Sequence, residues 1–343
     1  MLGKEKYLEI VTAGRAGIDF NTTVLNATFA ETPCFEKSIG GSPANIVQGT
    51  ARLGLKSGFI GKISGDGMGE YILNEFKSQG IDTSGICIDR TGARNCMAIT
   101  EIVNAEESGT YCSNNKETFH HGTYLYREKT ADMLIESEEI NEEIIAASKT
   151  VLLSGTAFSA EPSRKAMFQI LEYARRHDTK VVLDIDYRPF GWKDMKEASE
   201  CYQKICAMSD IIIGNREEFD VVEYTTMPEN KDNECSAKTF LDMGVQIVIV
   251  KDGPRGSDAY MADGSVVRCG VIPTKAVKTF GSGDAYAAGL MYGLLRDKGI
   301  LYAMQLGSAC ASIVLEHINC APAMPDFETA EKHRVLHSEE MVR

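Results

Sequence analysis

Long apolar runs are missing from this 343-residue chain, and no stretch approaches the ~18 apolar residues that a membrane-spanning helix needs. The first residues, Met1–Lys6, are charged and pass straight into a strand-like segment, so no secretory leader is expected. Thiols at metal spacing are missing too. The ten cysteines are scattered, the closest two being Cys201 and Cys206, and no Cys-x-x-Cys occurs. That excludes a zinc ribbon or a thioredoxin-type centre and makes reduced thiols in a cytoplasmic protein the simple reading. Positive charge is in deficit: 36 Lys and Arg against 49 Asp and Glu give a formal charge of -13. A nucleic-acid or anionic-membrane partner is therefore not expected, because phosphates would be repelled overall. A small anionic substrate needs only a few local cations. Two nucleotide signatures are also absent. No Gly-Lys-Ser/Thr of a P-loop occurs, and Ala13–Asp19, after the first strand-like run, lacks Gly-x-Gly-x-x-Gly.

What is present is an ordinary globular composition, 43% hydrophobic and 25% charged, on a chain long enough to bury a sizeable core. Apolar runs at Leu8–Ala13, Gly58–Ile63, Thr150–Ser154, Lys180–Ile185, Asp210–Gly214 and Gln246–Lys251 alternate with helical periods. The helices are expected at Ala44–Leu53, Gly69–Gln79, Pro162–His177, Lys196–Met208 and Glu234–Met243, with Asp284–Arg296 and Ile300–Glu316 closing the chain. Fully apolar strands separated by helices predict a parallel sheet covered on both faces. Asp19–Ile39 and Arg94–Arg127 break the rhythm. Both are rich in Thr, Val, Phe and Tyr without helical period, so they predict a small β-sheet inserted as a lid over a site. Residues 1–343 then form a single α/β domain, with the lid interleaved at about 19–39 and 94–127.

The strongest chemical signal is Thr279-Phe280-Gly281-Ser282-Gly283-Asp284, leading into the helical stretch Ala285–Leu295. Gly and Ser ahead of a helix leave backbone N–H groups free to surround an anion, and the helix dipole adds positive potential. Asp284, in the first turn, is placed to accept a proton from a substrate hydroxyl during phosphoryl transfer. The bland alternative is a capped helix with Gly for close packing. A second signal is Gly40-Gly41-Ser42-Pro43-Ala44-Asn45, where a ligand could approach the main chain and Asn45 could hydrogen-bond a sugar hydroxyl. Asp19 could bind vicinal hydroxyls, though alone it reads as a turn residue. Lys251-x-Gly253-x-x-Gly256 makes a turn that suits nucleotide phosphates or a plain hairpin equally. Asn215-x-x-Glu218 could orient water around Mg²⁺ or form a capping box. His120-His121 has no third ligand at useful spacing and reads as a polar loop, and Trp192, the one tryptophan, reads as packing.

Taken in order along nearly the whole chain, these motifs resemble the ribokinase-like (PfkB) sugar kinases. The match runs from Gly-Gly-x-x-x-Asn near residue 40, through Gly65-Asp66-x-x-Gly69, Asn-x-x-Glu and Lys-x-Gly-x-x-Gly, to Gly-x-Gly-Asp near the C-terminus. The resemblance implies a doubly wound parallel sheet with helices on both faces, a β-lid, and ATP with Mg²⁺. It further implies that Asp19, Gly41 and Asn45 contact the sugar and that Gly281, Ser282 and Gly283 form the anion hole. Asp284 becomes the catalytic base; Asn215, Lys251, Gly253 and Gly256 line the nucleotide; and Glu218 holds the metal through water. Family members often dimerise by joining lids, so a homodimer through the lid is compatible with the insertions. One departure stands out: many members have Asp where this chain has Lys278, and that Asp helps bind a monovalent cation. A lysine ammonium there could supply the charge, so weak dependence on K⁺ is expected.

The segment Asp184-Ile185-Asp186-Tyr187-Arg188-Pro189-Phe190-Gly191-Trp192 resembles the family's sugar-acid kinases, as does Arg127 on the expected lid. Leu125–Asp132 is especially similar to the branch acting on 5-dehydro-2-deoxygluconate in inositol catabolism. A guanidinium offers a planar fork to a carboxylate, so Arg127 and Arg188 become candidate contacts of a small-molecule sugar acid. Alternatively Arg127 is a solvated lid residue and Arg188 a salt-bridge partner of Asp184 or Asp186. The competing substrates are 2-dehydro-3-deoxygluconate, fructose or ribose, and a non-catalytic sugar-binding regulator is the competing class.

Overall fold

The apolar runs become strands buried on both faces. The structure, a computed structural model, describes residues 6–102 and 122–343. In chain order the first half contains β1 (Leu8–Ala13), β2 (Gly17–Thr22), β3 (Phe35–Gly40), α1 (Ser42–Arg52), β4 (Ser57–Ile63), α2 (Gly67–Ser78), β5 (Asp82–Ile88), β6 (Met97–Thr100) and β7 (Thr123–Tyr126). Next come α3 (Glu142–Ala146), β8 (Ser148–Ser154), α4 (Ser163–Arg176), β9 (Lys180–Asp184), α5 (Met195–Cys206), β10 (Ile211–Asn215) and α6 (Arg216–Glu223). The chain finishes with α7 (Asn233–Asp242), β11 (Ile247–Lys251), β12 (Ser257–Met261), β13 (Val266–Cys269), α8 (Ser282–Leu295), α9 (Ile300–Leu315) and α10 (Phe327–Leu336).

Among the described residues, nine strands form one sheet in the order β13-β12-β11-β10-β9-β8-β1-β4-β5. From β10–β11 across to β4–β5 the pairs are parallel. Alternate side chains of each central strand enter different cores. Val11, Val151, Leu153, Val248 and Val250 pack with residues of α3–α5. Ile10, Leu152, Val182, Ile213 and Ile249 pack with α1, α8 and α9. Each fully buried Val, Leu or Ile contributes about 1.5–3 kcal/mol, so Leu152→Ala, at a position with no exposure, is expected to cost about 2–5 kcal/mol.

Two features of this sheet differ from expectation. It is mixed, because β12 and β13 run antiparallel: the short turn after β11 cannot make a parallel crossover, which needs a dozen or more residues. It also has an edge strand, β5, whose half-exposed pattern lacks the apolar run by which the central strands are read.

A separate four-stranded sheet has the order β3-β2-β6-β7. Its inner face, through Ile18 and Ile39, packs on Ala44, Val47, Phe59 and Ile63 of the body. A polar tie adds to this contact: Asn21 Nδ2 donates to Asn319 Oδ1 at 2.7 Å, and Asn319 Nδ2 donates to Glu36 Oε2 at 2.8 Å. The chain builds the body sheet outward from β1 to β4 and β5, then returns to the other side of β1 with β8. The switch point therefore lies between β1 and β8. In open α/β sheets, ligands bind beyond the carboxyl ends of strands at such a point.

Candidate active site

The turn expected to hold an anion is built on backbone conformation. Gly281 caps α8 with φ 82° and no side-chain cap, a left-handed geometry that favours glycine; a Cβ there would also run into the Cys320 sulfur. The first helical bond joins Ala285 N to Gly281 O at 3.1 Å, which leaves the amides of Ser282, Gly283 and Asp284 without a helical acceptor. Two ammonium groups flank the turn. Lys251 Nζ lies 3.6 Å from where a Cβ on Gly283 would sit, and Lys278 Nζ lies 3.5 Å from the same point on Gly281. Lys278 is buried and donates to Phe280 O and Cys320 Sγ, both at 2.8 Å. Lys251 faces Asp184, 3.5 Å away. Burial pushes the Asp184 carboxyl up, with the Lys251 ammonium the strongest opposing influence.

Asp284 points from the first turn of α8 toward α1, where Asn45 Nδ2 donates to its Oδ2 at 2.7 Å. Burial and then the Asp186 carboxylate raise its pKa, opposed by the Asn45 bond. Asn45 Oδ1 is buried beside it with no protein partner. Buried polar atoms are normally satisfied, so a polar ligand or water belongs there. Gly41 caps the N-terminus of α1. Its neighbour Gly40 lies against Asp19 on the adjoining strand, so closely that any Cβ would overlap the carboxylate. Asp19 is pushed up to about 6 by burial, with Arg15 and Lys278 opposing and Asp284 reinforcing.

Three arginines surround the other end of the cleft. Arg127 is not a solvated lid residue: its side chain is 6% exposed, and its Nε meets Asp132 Oδ2 at 2.8 Å. Its Nη2 donates to Thr156 O at 3.1 Å. Arg188 pairs with Asp186 Oδ1 at 2.9 Å and donates to Tyr187 O at 2.7 Å. Asp186 itself has φ 36°, uncommon outside glycine and concentrated at functional sites. Its Oδ2 accepts from Ser154 Oγ at 2.8 Å. The third arginine, Arg15, stands in the loop after β1 and has no counterpart among the motifs. A charged residue just past the carboxyl end of a central strand is the signal that could have found it.

Other motif residues take structural geometries. Asn215 and Glu218 form a reciprocal capping box on α6: Asn215 Oδ1 accepts from Glu218 N at 2.9 Å, and Glu218 Oε2 accepts from Asn215 N at 2.8 Å. Gly253 and Gly256 form the turn between β11 and β12, closed by Asp252 N to Gly256 O at 2.7 Å, the hairpin alternative. Trp192 packs on Tyr202, their ring centres 5.4 Å apart. His120 and His121, with residues 103–119 of the expected lid segment, lie outside the described residues. Among the described residues, no helix is long and apolar enough to cross a membrane.

A left-handed glycine loop opening a helix, with a carboxylate in its first turn, at the end of a mixed α/β sheet partly covered by a second sheet, is the arrangement of a carbohydrate kinase. A fructokinase with bound ATP from Xylella fastidiosa superposes with a TM-score of 0.81 at 18% identity, covering 96% of this chain and 99% of that one. The architecture is the ribokinase-like fold. The model described as pfkB family carbohydrate kinase matches residues 8–326, and the chain belongs to that family. A 5-dehydro-2-deoxygluconokinase of Geobacillus kaustophilus (strain HTA426) is 42% identical over 329 residues, 96% of this chain and 94% of the relative. One from Halalkalibacterium halodurans is 41% identical over 330 residues, 96% and 95% of the two chains.

Proposed function

We propose that this kinase transfers the γ-phosphoryl group of MgATP to the primary hydroxyl of 5-dehydro-2-deoxygluconate, a step of inositol catabolism. The observation that carries the reading is the 42% identity, spread over 96% of the chain, to an enzyme of that name. Three cleft arginines on a chain of net negative charge agree with an anionic sugar. In this mechanism Asp19, Gly41 and Asn45 hold the sugar hydroxyls, while Arg127 and Arg188 frame its acid end. Asp284 takes the hydroxyl proton as the bond to phosphorus forms. Its raised pKa keeps it basic enough to do so, and Asn45 fixes its orientation. The amides of Gly281, Ser282, Gly283 and Asp284 face the charge that develops on the transferring group, a contribution of about 3–4 kcal/mol per donor. Lys251 and the turn through Gly253 and Gly256 line the nucleotide.

When bound, Mg²⁺ draws negative charge from the phosphate oxygens. The residues present fit such an ion. Mg²⁺ usually keeps several waters, and the capping bond of Glu218 uses Oε2 alone, so this carboxylate would hold it through water with Asn215 alongside. The buried Lys278 ammonium stands in for a monovalent cation, so exchanging K⁺ for an inert cation should change the rate by less than about twofold. A several-fold K⁺ activation would remove that role. A cytoplasmic place suits the ATP supply. Exposed Phe29, Tyr124 and Tyr126 on the lid support a homodimer joined there, which light scattering would test.

The test of the substrate is MgATP consumption with 5-dehydro-2-deoxygluconate, 2-dehydro-3-deoxygluconate, fructose and ribose, with Asp284→Asn as the blank. Preference for the first is expected. Preference for a neutral sugar would keep the kinase and discard the sugar-acid reading, and no turnover with any would favour a binding protein.

A further inference from the structure

We infer that Arg15 is the guanidinium that takes the substrate carboxylate, with Arg127 and Arg188 acting as positioning residues around it. The inference rests on the sugar-acid reading above and names the residue that makes it specific. A carboxylate is held best by two parallel N–H bonds from one edge of a guanidinium. That edge is occupied in Arg127, whose Nε serves Asp132 and whose Nη2 serves Thr156 O. Arg188 commits Nη2 to Asp186 and Nη1 to the Tyr187 carbonyl. Arg15 is different. Its Nη1 donates to Cys96 Sγ at 3.4 Å, a weak acceptor. Its Nε is buried with no partner, and among the described residues no protein acceptor meets Nη2.

Placement and charge agree with this assignment. Arg15 follows β1 at the switch point of the sheet, and its backbone and Cγ lie against Gly41 at the start of α1. Asp19 and Asp186 stand within its electrostatic reach, yet no carboxylate lies within ion-pairing distance of it among the described residues. Arg127 and Arg188 each have a carboxylate in contact, so an incoming carboxylate would compete with an existing partner there. At Arg15 it would supply the partner that a buried guanidinium N–H lacks. An unmet buried donor is unfavourable, so an acid bound at Arg15 gains a contact that a neutral group of the same shape supplies less well.

The experiment compares kcat/KM for 5-dehydro-2-deoxygluconate and for the same keto sugar with its carboxylate converted to a primary amide. The acid-to-amide ratio within one preparation does not depend on how much of it is folded. For the unaltered chain the ratio is expected to exceed about 100. In Arg15→Gln it should fall below about 5, while Arg15→Lys, which keeps the charge without the fork, should lie between. If turnover of a variant is too slow to time, the ratio of the two dissociation constants by calorimetry gives the same comparison. A ratio in Arg15→Gln that stays within about threefold of the unaltered value would overturn the inference and move the carboxylate elsewhere. A ratio near one in the unaltered chain, with a neutral sugar preferred, would instead remove the sugar-acid reading and this assignment with it.

Discussion

The two ends of the cleft are built by opposite strategies. At the proposed phosphate end the donors would be main-chain amides of one short segment, residues 281–284, whose shape is set by a left-handed glycine. At the proposed sugar end the groups are side chains from distant elements: Asp19 on β2, Asn45 on α1, Arg127 after β7, Arg188 after β9 and Arg15 after β1. A phosphoryl group is the same in every kinase, so a local backbone device serves it. Sugars differ in where hydroxyls and charges lie, so their recognition depends on side chains that can be exchanged one at a time.

Altering each end should separate rate from recognition. The largest effect is expected for Asp284→Asn, which removes the proposed base: turnover should fall by about 10²–10⁴ while ATP binding, measured by calorimetry, persists. Turnover near normal would take the base role away from Asp284. Gly281→Ala attacks the loop by its backbone. Forcing an L-residue into the left-handed region against Cys320 should lower turnover by about 10²-fold and stability by about 1–3 kcal/mol, with the sugar KM little changed. An equal loss in sugar affinity would mean that the two ends are not separable.

Asp19 tests the sugar end through pH. Its carboxyl, pushed up to about 6 from 3.8, holds a proton in the folded state that the unfolded chain has lost. The stability this gives is fully present below 3.8 and is lost as pH rises through about 6. Asp19→Asn, which cannot ionise, should therefore be more stable than the unaltered chain at pH 8, by about 3 kcal/mol, yet bind sugar poorly. Denaturant unfolding at pH 4 and pH 8 reads this; equal differences at both would rule out the buried charge as the cause. The smallest effect is expected for Asn215→Ala. It removes a cap worth about 1 kcal/mol, and a melting curve should show that loss with only a modest change in the KM for ATP.

Much of the fold was legible because periodicity is local. β1 falls on its apolar run at Leu8–Ala13, and the remaining central strands lie within one or two residues of theirs. β5 escaped because an edge strand with a half-exposed pattern carries no continuous apolar signal. The reversal into β12 and β13 was open in sequence, since a turn of that length suits a hairpin and a phosphate loop alike. Among site residues, Asp284 and its glycines were visible because three consecutive backbone requirements leave a compact signature. Arg15 was not, because one charged residue after a strand looks like any surface charge until Gly41 and Cys96 are packed around it.

By itself the sequence determined the alternating α/β body, the inserted β segments, the glycine turn with its carboxylate, and the family pattern. These follow from local propensity and from short runs of residues with restricted backbone geometry. Tertiary structure alone decided which arginine keeps an open edge and that the Lys278 ammonium lies against Cys320. Those outcomes depend on which side chains meet when separate elements pack, as Arg15 meets Cys96 and Lys278 meets Cys320, and whether a charge is already paired is a property of that meeting.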